Sequence, residues 1–245
     1  MWPLVQTQAQ CATNVWREPD QGIWEARGKP QQYVSSKLMC WVALDRASKL
    51  AAIRGDADLQ ATWGATADEI KADILEHGVD KRGVLRQHYD TDALDASTLL
   101  AAIFGFLASD DKRLRASVLA IADELTDNGF VLRYRTDAHV PAAGEALSSA
   151  HHHVDGLPPG EGAFLACSFW LVDTYALLRR YEDAERLFER LLAVANDVGL
   201  LAEEYDPVSG RQLGNFPQAF SHLSLVNTAY NLARDRSGPS EERSR

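Results

Sequence analysis

The chain has 245 residues, 46% of them hydrophobic, and a formal net charge of -10. A chain of this length buries one large core or two small ones. The acidic balance argues against a nucleic-acid partner, because binding phosphate needs clustered Lys and Arg, and it suits an enzyme that acts on neutral molecules.

Cysteine usage and hydropathy indicate the compartment. Three cysteines stand at unrelated spacings among largely apolar neighbours. This odd count predicts buried free thiols in a reducing environment, so we expect a cytoplasmic protein. Residues 1–12 lack the basic start and apolar stretch of a signal peptide. No apolar run approaches the roughly 20 residues of a membrane span, so we expect no membrane partner.

Apolar residues recur at helical spacing along most of the chain. The pattern predicts eight helices and no strand, at about residues 3–17, 34–54, 58–77, 93–107, 110–128, 163–179, 181–196 and 217–233. We expect Ser109 to cap the fifth helix and Asn128-Gly129 to end it. The polar tail 234–245 is predicted to be disordered, which leaves residues 1–233 as one all-α domain.

The connections between these helices are unequal in length. Long loops near 19–33, 79–92, 130–160 and 197–216 alternate with tight turns. This alternation is typical of an array of helical hairpins that carries its functional loops on one face.

Two of the long loops hold a glutamate at the edge of an apolar or aromatic run. Glu25 lies in Gly22-Ile-Trp-Glu-Ala-Arg-Gly28, and Glu203 lies in Leu200-Leu-Ala-Glu-Glu-Tyr-Asp-Pro207. Hydrolysis of a glycosidic bond needs one protonated acid and one carboxylate base. The apolar neighbours Ile23 and Trp24 should favour a protonated carboxyl at Glu25, and the more polar neighbours of Glu203 an ionised one.

Six segments, in order, resemble the bacterial branch of glycoside hydrolase family 15, which contains glucoamylases, glucodextranases and some trehalases. They are residues 22–28, 36–46, 87–90, 160–170, 202–207 and 214–222. The resemblance covers about residues 2–233. It implies an (α/α)6 toroid of helical hairpins, and hydrolysis of terminal α-glucosidic bonds in trehalose or short α-glucans with inversion and no cofactor.

The resemblance implies the catalytic roles. Glu25 matches the general acid and Glu203 the general base, with Glu204 kept as the alternative base. Because an inverting enzyme admits a water between its carboxyls, we predict that Glu25 and Glu203 stand about 6.5–9.5 Å apart.

It also implies contacts to the sugar. Trp24 matches a wall of the glucose pocket, and Arg133, or else Arg135, matches an arginine that holds sugar hydroxyls. His88 is a further candidate for sugar contact.

For several other residues the sequence leaves two interpretations open. Glu161 is either a sugar contact or a helix cap, Tyr205 either orients a carboxylate or packs, and Lys37 is either a ligand contact or a surface charge. We predict no metal site at His151-His152-His153, because adjacent side chains diverge and no partner stands at a metal-site spacing.

Family members carry several helices before the first motif, with an Arg-Asp pair that grips the non-reducing sugar. Nothing in residues 1–20 supplies that pair, so we expect about eight of twelve toroid helices and a missing N-terminal portion. Exposed apolar faces on an incomplete toroid predict self-association. The alternative function is a remnant that binds a sugar or a partner without turnover.

Overall fold

The computed structural model describes residues 1–135 and 161–233. The chain divides into two compact units, unit 1 (Met1–Asp92) and unit 2 (Ala93–Arg245). The predicted tail and the three adjacent histidines lie outside the described residues, so the predictions made for them stay predictions. No helix in the two described ranges is long and apolar enough to cross a membrane.

Unit 1 consists of three helices, α1 (Trp2–Val15), α2 (Val34–Arg54) and α3 (Ala57–His77). Helix α2 packs against both of the others and buries Leu38 and Leu44. The carboxylate of Asp56 caps α3 by accepting from the Leu59 amide at 3.1 Å. The bounds of α2 and α3 confirm the helices predicted at 34–54 and 58–77. Long amphipathic helices with clear ends carry the strongest sequence signal.

Unit 2 is built around α6 (Leu165–Leu177). All residues of α6 except Tyr175 are buried, and it packs against α5 (Lys112–Glu124), α7 (Tyr181–Leu192) and α8 (Ala219–Ala233). A helix that is apolar on every side belongs inside a core.

The fourth and fifth predicted helices are shorter than expected. A 3-10 turn at Ala96–Leu99 leads into α4 (Leu100–Ile103), which ends because Gly105 turns the chain at φ 71°. The cap of α5 is Asp111, which accepts from the Arg113 amide at 2.8 Å. The prediction that Ser109 caps this helix is therefore wrong.

The expectation of no strand is also wrong. Strands β1 (Thr126–Asp127) and β2 (Phe130–Val131) form a hairpin. Its turn is Asn128-Gly129, with φ of 45° and 81°. Both angles are positive, as the favoured turn of a two-residue hairpin requires. The Asn-Gly pair is therefore a hairpin turn and not the end of a helix.

A three-stranded antiparallel sheet joins two distant parts of unit 2. It consists of β3 (Ala163–Phe164), β4 (Glu204–Asp206) and β5 (Arg211–Leu213), in the order β3-β4-β5. Strands of two or three residues are too short to show an alternating pattern, so the sequence did not reveal them. The sheet brings the segment before α6 beside the second glutamate motif.

Candidate active site

The sheet of unit 2 holds Glu203 by its backbone, immediately before β4. The Glu203 amide donates to the Asn215 carbonyl at 3.0 Å, and the Glu203 carbonyl accepts from the Leu165 amide at 3.1 Å. The residue is thereby tied both to the segment after β5 and to the first turn of α6.

Three N–H donors surround the Glu203 carboxylate. Its Oε2 accepts from the Asn215 amide at 3.2 Å and from Asn215 Nδ2 at 3.0 Å, while Oε1 accepts from Gln218 Nε2 at 3.3 Å. An ionised carboxylate offers about four acceptor positions. Among the described residues one position therefore remains, on Oε1, where a water can donate.

Gly214 lies directly against this carboxylate. It has φ 73°, and a Cβ there would lie 2.8 Å from Glu203 Oε2 and 3.1 Å from the Glu203 Cβ. A methyl group at this position would push Glu203 away from Asn215.

Replacing Gly214 with Ala is expected to destabilise unit 2 more than replacing Gly199. Gly199 has a similar φ of 78° but nothing within 4 Å of its Cβ position. Gly199→Ala should lower the free energy of unfolding by about 1–2 kcal/mol through the left-handed backbone alone. Gly214→Ala should lose about 1 kcal/mol more through Glu203. Urea unfolding measures both, and equal losses would contradict the close approach.

Arg133 and Glu161 form a charged cluster with Glu204 of β4. The Arg133 guanidinium pairs with Glu161 and lies 5.9 Å from the centre of the Phe164 ring. Glu204 Oε2 accepts from the Gly162 amide at 3.1 Å. Burial raises the pKa of Glu204, the charge of Glu161 raises it further, and Arg133 opposes both.

Glu204→Gln is expected to stabilise the protein near neutral pH. The pKa of Glu204 is raised in the folded protein, so the protonated carboxyl is favoured there, and its stabilising effect is fully present below the unfolded pKa. That effect is lost as pH rises through the folded pKa and the buried group becomes charged. At pH 7 the amide removes that penalty, so the Tm should rise by about 2 °C, while at pH 4 the two proteins should be alike. Calorimetry at both pH values measures this.

Glu189→Gln is the matched control, because Glu189 is exposed on α7. This substitution removes the same charge, but from an exposed carboxyl. The Tm of the variant should therefore equal that of the wild type at both pH values. A Glu204→Gln variant that is less stable at pH 7 would mean that Arg133 needs the Glu204 charge.

Two of the open interpretations concern residues of unit 2 whose contacts the structure describes. Arg133 lies in the charged cluster, whereas Arg135 is exposed and its Nε donates to the Glu124 carbonyl near the end of α5. Tyr205 packs on Phe130, with the ring centres 4.9 Å apart. The structure thus supports the packing interpretation for Tyr205.

Glu25 lies in unit 1, on the loop between α1 and α2. It is exposed, and Ile23 is itself 39% exposed, so Ile23 does not supply the apolar surroundings that we expected. Trp24 is half-buried. Glu25 has φ 52°, a conformation that costs a non-glycine residue about 1–2 kcal/mol and that is found preferentially at functional sites.

His88 lies in the same unit, beside Tyr33. The two rings meet edge to face with centres 5.5 Å apart, and the Tyr33 ring also lies against Gly22 of the Glu25 loop. His88 Nδ1 accepts from the Asp90 amide at 3.3 Å. Burial lowers the pKa of His88 although Asp90 opposes the shift, so a neutral ring that can both donate and accept is favoured.

A family model, Glycosyl hydrolases family 15, matches residues 1–230. The chain belongs to this family. It is 52% identical over 234 residues to a trehalase of Mycolicibacterium smegmatis, a match that covers 96% of this chain and 33% of the relative. It is 36% identical over 234 residues to a trehalase of Thermoplasma volcanium, covering 95% of this chain and 35% of the relative. The chain thus spans about a third of the length of these relatives.

Solved structures share the fold at low sequence identity. A wild-type glycosidase has a TM-score of 0.71 at 21% identity, over 90% of this chain and 57% of its own. A glucoamylase of Saccharomycopsis fibuligera has a TM-score of 0.69 at 12% identity, over 92% and 60%. These matches confirm the predicted fold class, part of the helical toroid of family 15.

The sequence analysis did not single out the residues that hold the Glu203 carboxylate in unit 2. Gly214, Asn215 and Gln218 all lie in the last of the six segments, 214–222. The Gly214-Asn215 pair could have indicated that another group lies close to the backbone here. That this group is the Glu203 carboxylate depends on the pairing of β4 with β5.

No group of three metal-ligating side chains stands together in residues 1–135 and 161–233. The groups around Glu203 and Glu204 are the side-chain amides of Asn215 and Gln218, the Arg133 guanidinium and the Glu161 carboxylate, which offer hydrogen bonds and charge.

Proposed function

We propose that the chain carries the acid and the base of a glycoside hydrolase that cleaves terminal α-glucosidic bonds, in trehalose or in short α-glucans. The observation that carries this proposal is the Glu203 carboxylate, held by three donors with one acceptor position left for water. The trehalases related to this chain support the substrate class.

The proposed reaction is a single displacement. Glu203 takes a proton from a water, whose oxygen forms a bond to the anomeric carbon as the glycosidic bond breaks. Glu25 gives its proton to the leaving oxygen, and the anomeric configuration inverts. Arg133, Glu161 and Glu204 bind sugar hydroxyls.

Trp24 and His88 complete the proposed sugar contacts in unit 1. The indole would form an apolar wall for the sugar ring, and the neutral imidazole of His88 would bind a hydroxyl. The proposal needs no cofactor, since both proton transfers are made by side chains.

Glucose release tests the proposal directly. The purified chain is incubated with trehalose, maltose and maltotetraose, and proton NMR follows the anomers as they form. From maltotetraose we expect β-glucose first, and from trehalose one β-glucose and one α-glucose, because the leaving sugar keeps its α configuration. Initial release of α-glucose alone would contradict a single displacement.

The second candidate function is a remnant that binds sugar or a partner without turnover. The observation that favours it is the exposure of Glu25, because a general acid is kept protonated by apolar surroundings. Folded protein that binds trehalose by calorimetry but releases no glucose would favour the remnant over the hydrolase.

A partner is also proposed, because α8 presents an apolar stripe to solvent. Phe220, Leu223, Val226 and Tyr230 are 40%, 62%, 64% and 55% exposed, and monomeric proteins rarely expose such contiguous patches. We propose that helices of the kind that the relatives carry outside the matched third cover this stripe.

The test mixes the chain with the unmatched two thirds of the Mycolicibacterium smegmatis trehalase on a sizing column. We expect a complex that Leu223→Glu abolishes and that Val208→Glu, at a position 81% exposed in the β4–β5 turn, leaves intact. A chain that pairs only with itself would support self-association instead.

We also propose a cytoplasmic location. All three cysteines are free, which suits a reducing compartment. Only Cys167 is buried, whereas Cys40 is partly exposed and Cys11 exposed, so the prediction that all three thiols are buried is wrong. Cell fractionation tests this, and recovery of the protein outside the cell would contradict it.

A further inference from the structure

Lys37 occupies a position that is unfavourable for a lysine. Its side chain is 5% exposed, although lysine is almost never buried without a partner. It also lies in the first turn of α2, where the helix dipole disfavours a cation. Burial lowers the pKa of Lys37, and Asp73 opposes the shift. The surface-charge interpretation is therefore wrong, because the side chain is buried, while the ligand-contact interpretation stays a prediction.

The ammonium group of Lys37 joins all three helices of unit 1. Its Nζ donates to the Trp16 carbonyl at 2.8 Å and lies 3.7 Å from Asp73 Oδ2 on α3. The Tyr89 hydroxyl donates to the same Asp73 oxygen. The ammonium group also lies 5.0 Å from the Trp16 ring centre and 5.3 Å from that of Tyr89.

The Trp16 carbonyl is the point at which the Glu25 loop leaves α1. Trp16 caps the C-terminal end of α1, where the last carbonyls have no partner within the helix. Lys37 satisfies one of them from the first turn of α2, the helix that begins where the loop ends. One side chain therefore sets the distance between the two ends of the loop.

Further contacts join the two ends of the Glu25 loop. Gln32 Nε2 donates to the Arg17 carbonyl at 3.0 Å. Asp20 and Gln31 exchange backbone hydrogen bonds of 3.0 and 2.8 Å. Between them the chain carries Glu25 at φ 52°, and such a strained residue persists only where its surroundings hold it.

We propose that Lys37 is a positioning residue, which fixes the start of the loop to the first turn of α2 and so holds Glu25 in its strained conformation. The functional part of this inference rests on the proposed role of Glu25 as the acid. A packed apolar side chain often stabilises a buried site as well as an ion pair does. What it cannot supply is the link from the ammonium group to the Trp16 carbonyl.

Hydrogen exchange of Lys37→Met tests the link without reference to activity. We expect the amides between Glu18 and Gln31 to exchange about tenfold faster, the effect of losing one hydrogen bond to a charged group. Amides in the centre of α2 should keep their rates. Lys37→Arg should restore most of the protection, because a cleft of about 780 Å³ borders Lys37, Asp73 and Tyr89 and leaves room for the longer side chain.

Tyr89→Phe is the second variant, in case Lys37→Met does not fold. It keeps the ammonium group but frees Asp73 from the Tyr89 hydroxyl, so the loop should loosen by less than in Lys37→Met. Unchanged loop exchange in folded variants would overturn the inference. So would faster exchange spread evenly over unit 1, or a failure of Lys37→Arg to restore protection.

Kinetics on the same variants separate positioning from general stability. With glucose release as the readout, Lys37→Met should lower kcat about tenfold while KM stays within about twofold, because the acid is misplaced but sugar contacts remain. If the wild-type chain releases no glucose, the hydrolase proposal fails while the exchange data still decide the role of Lys37.

Discussion

Glu203→Gln is expected to lower kcat for glucose release by about 10³-fold, because the amide cannot take a proton from water. The substitution keeps the length of the side chain, and KM should change little. Asn215 and Gln218 now donate to the carboxylate. In the variant one of the two oxygens becomes an NH2 group, which cannot accept a hydrogen bond from either of them. A Tm measured beside the rate shows whether folding is affected.

Glu204→Gln is the matched control for the base, since the neighbouring carboxylate was the alternative. Glu204 accepts from the Gly162 amide and lies near Arg133 and Glu161, so we expect weaker sugar binding and a smaller loss of kcat. A loss of about 10³-fold in Glu204→Gln with an active Glu203→Gln would exchange the two roles.

Glu25→Gln is expected to lower kcat on trehalose by about 10²–10⁴-fold, the range of general acid catalysis. The same variant should retain most of its activity on α-glucosyl fluoride, because fluoride leaves without being protonated. Glu203→Gln should remain inactive on both substrates, since attack by water is still required. Initial rates on the two substrates measure the contrast.

Glu18→Gln is the control for this loop. Glu18 is exposed, as Glu25 is, and the substitution removes the same charge seven positions before the proposed acid. It should leave both rates unchanged. If Glu25→Gln lost activity equally on both substrates, Glu25 would not be the proton donor.

The long helices were predictable from the sequence because their signal is local. Helix α2 begins and ends where the periodicity predicted, since an amphipathic stripe is visible over a few residues. The β4–β5 hairpin was not predictable, because strands of three residues are stabilised by their partners and not by their own composition.

In the candidate site, too, some residues were predictable from the sequence and others were not. The two glutamates were predicted from motifs in which chemistry-bearing residues stand next to aromatic or apolar neighbours. The donors on Glu203 come from Asn215 and Gln218, which lie twelve and fifteen positions away. Only the fold of the hairpin decides that they point to this carboxylate.

The sequence by itself determined the family and the helical class, because these depend on motifs and periodicity over short stretches of chain. The roles of Glu25 and Glu203 as acid and base follow from the resemblance to that family and stay predictions. The tertiary structure alone decided that Lys37 is buried against the Trp16 carbonyl and that Arg133, not Arg135, joins Glu161. Such contacts join residues that are distant in the chain, and burial and hydrogen-bond geometry exist only once the helices have packed.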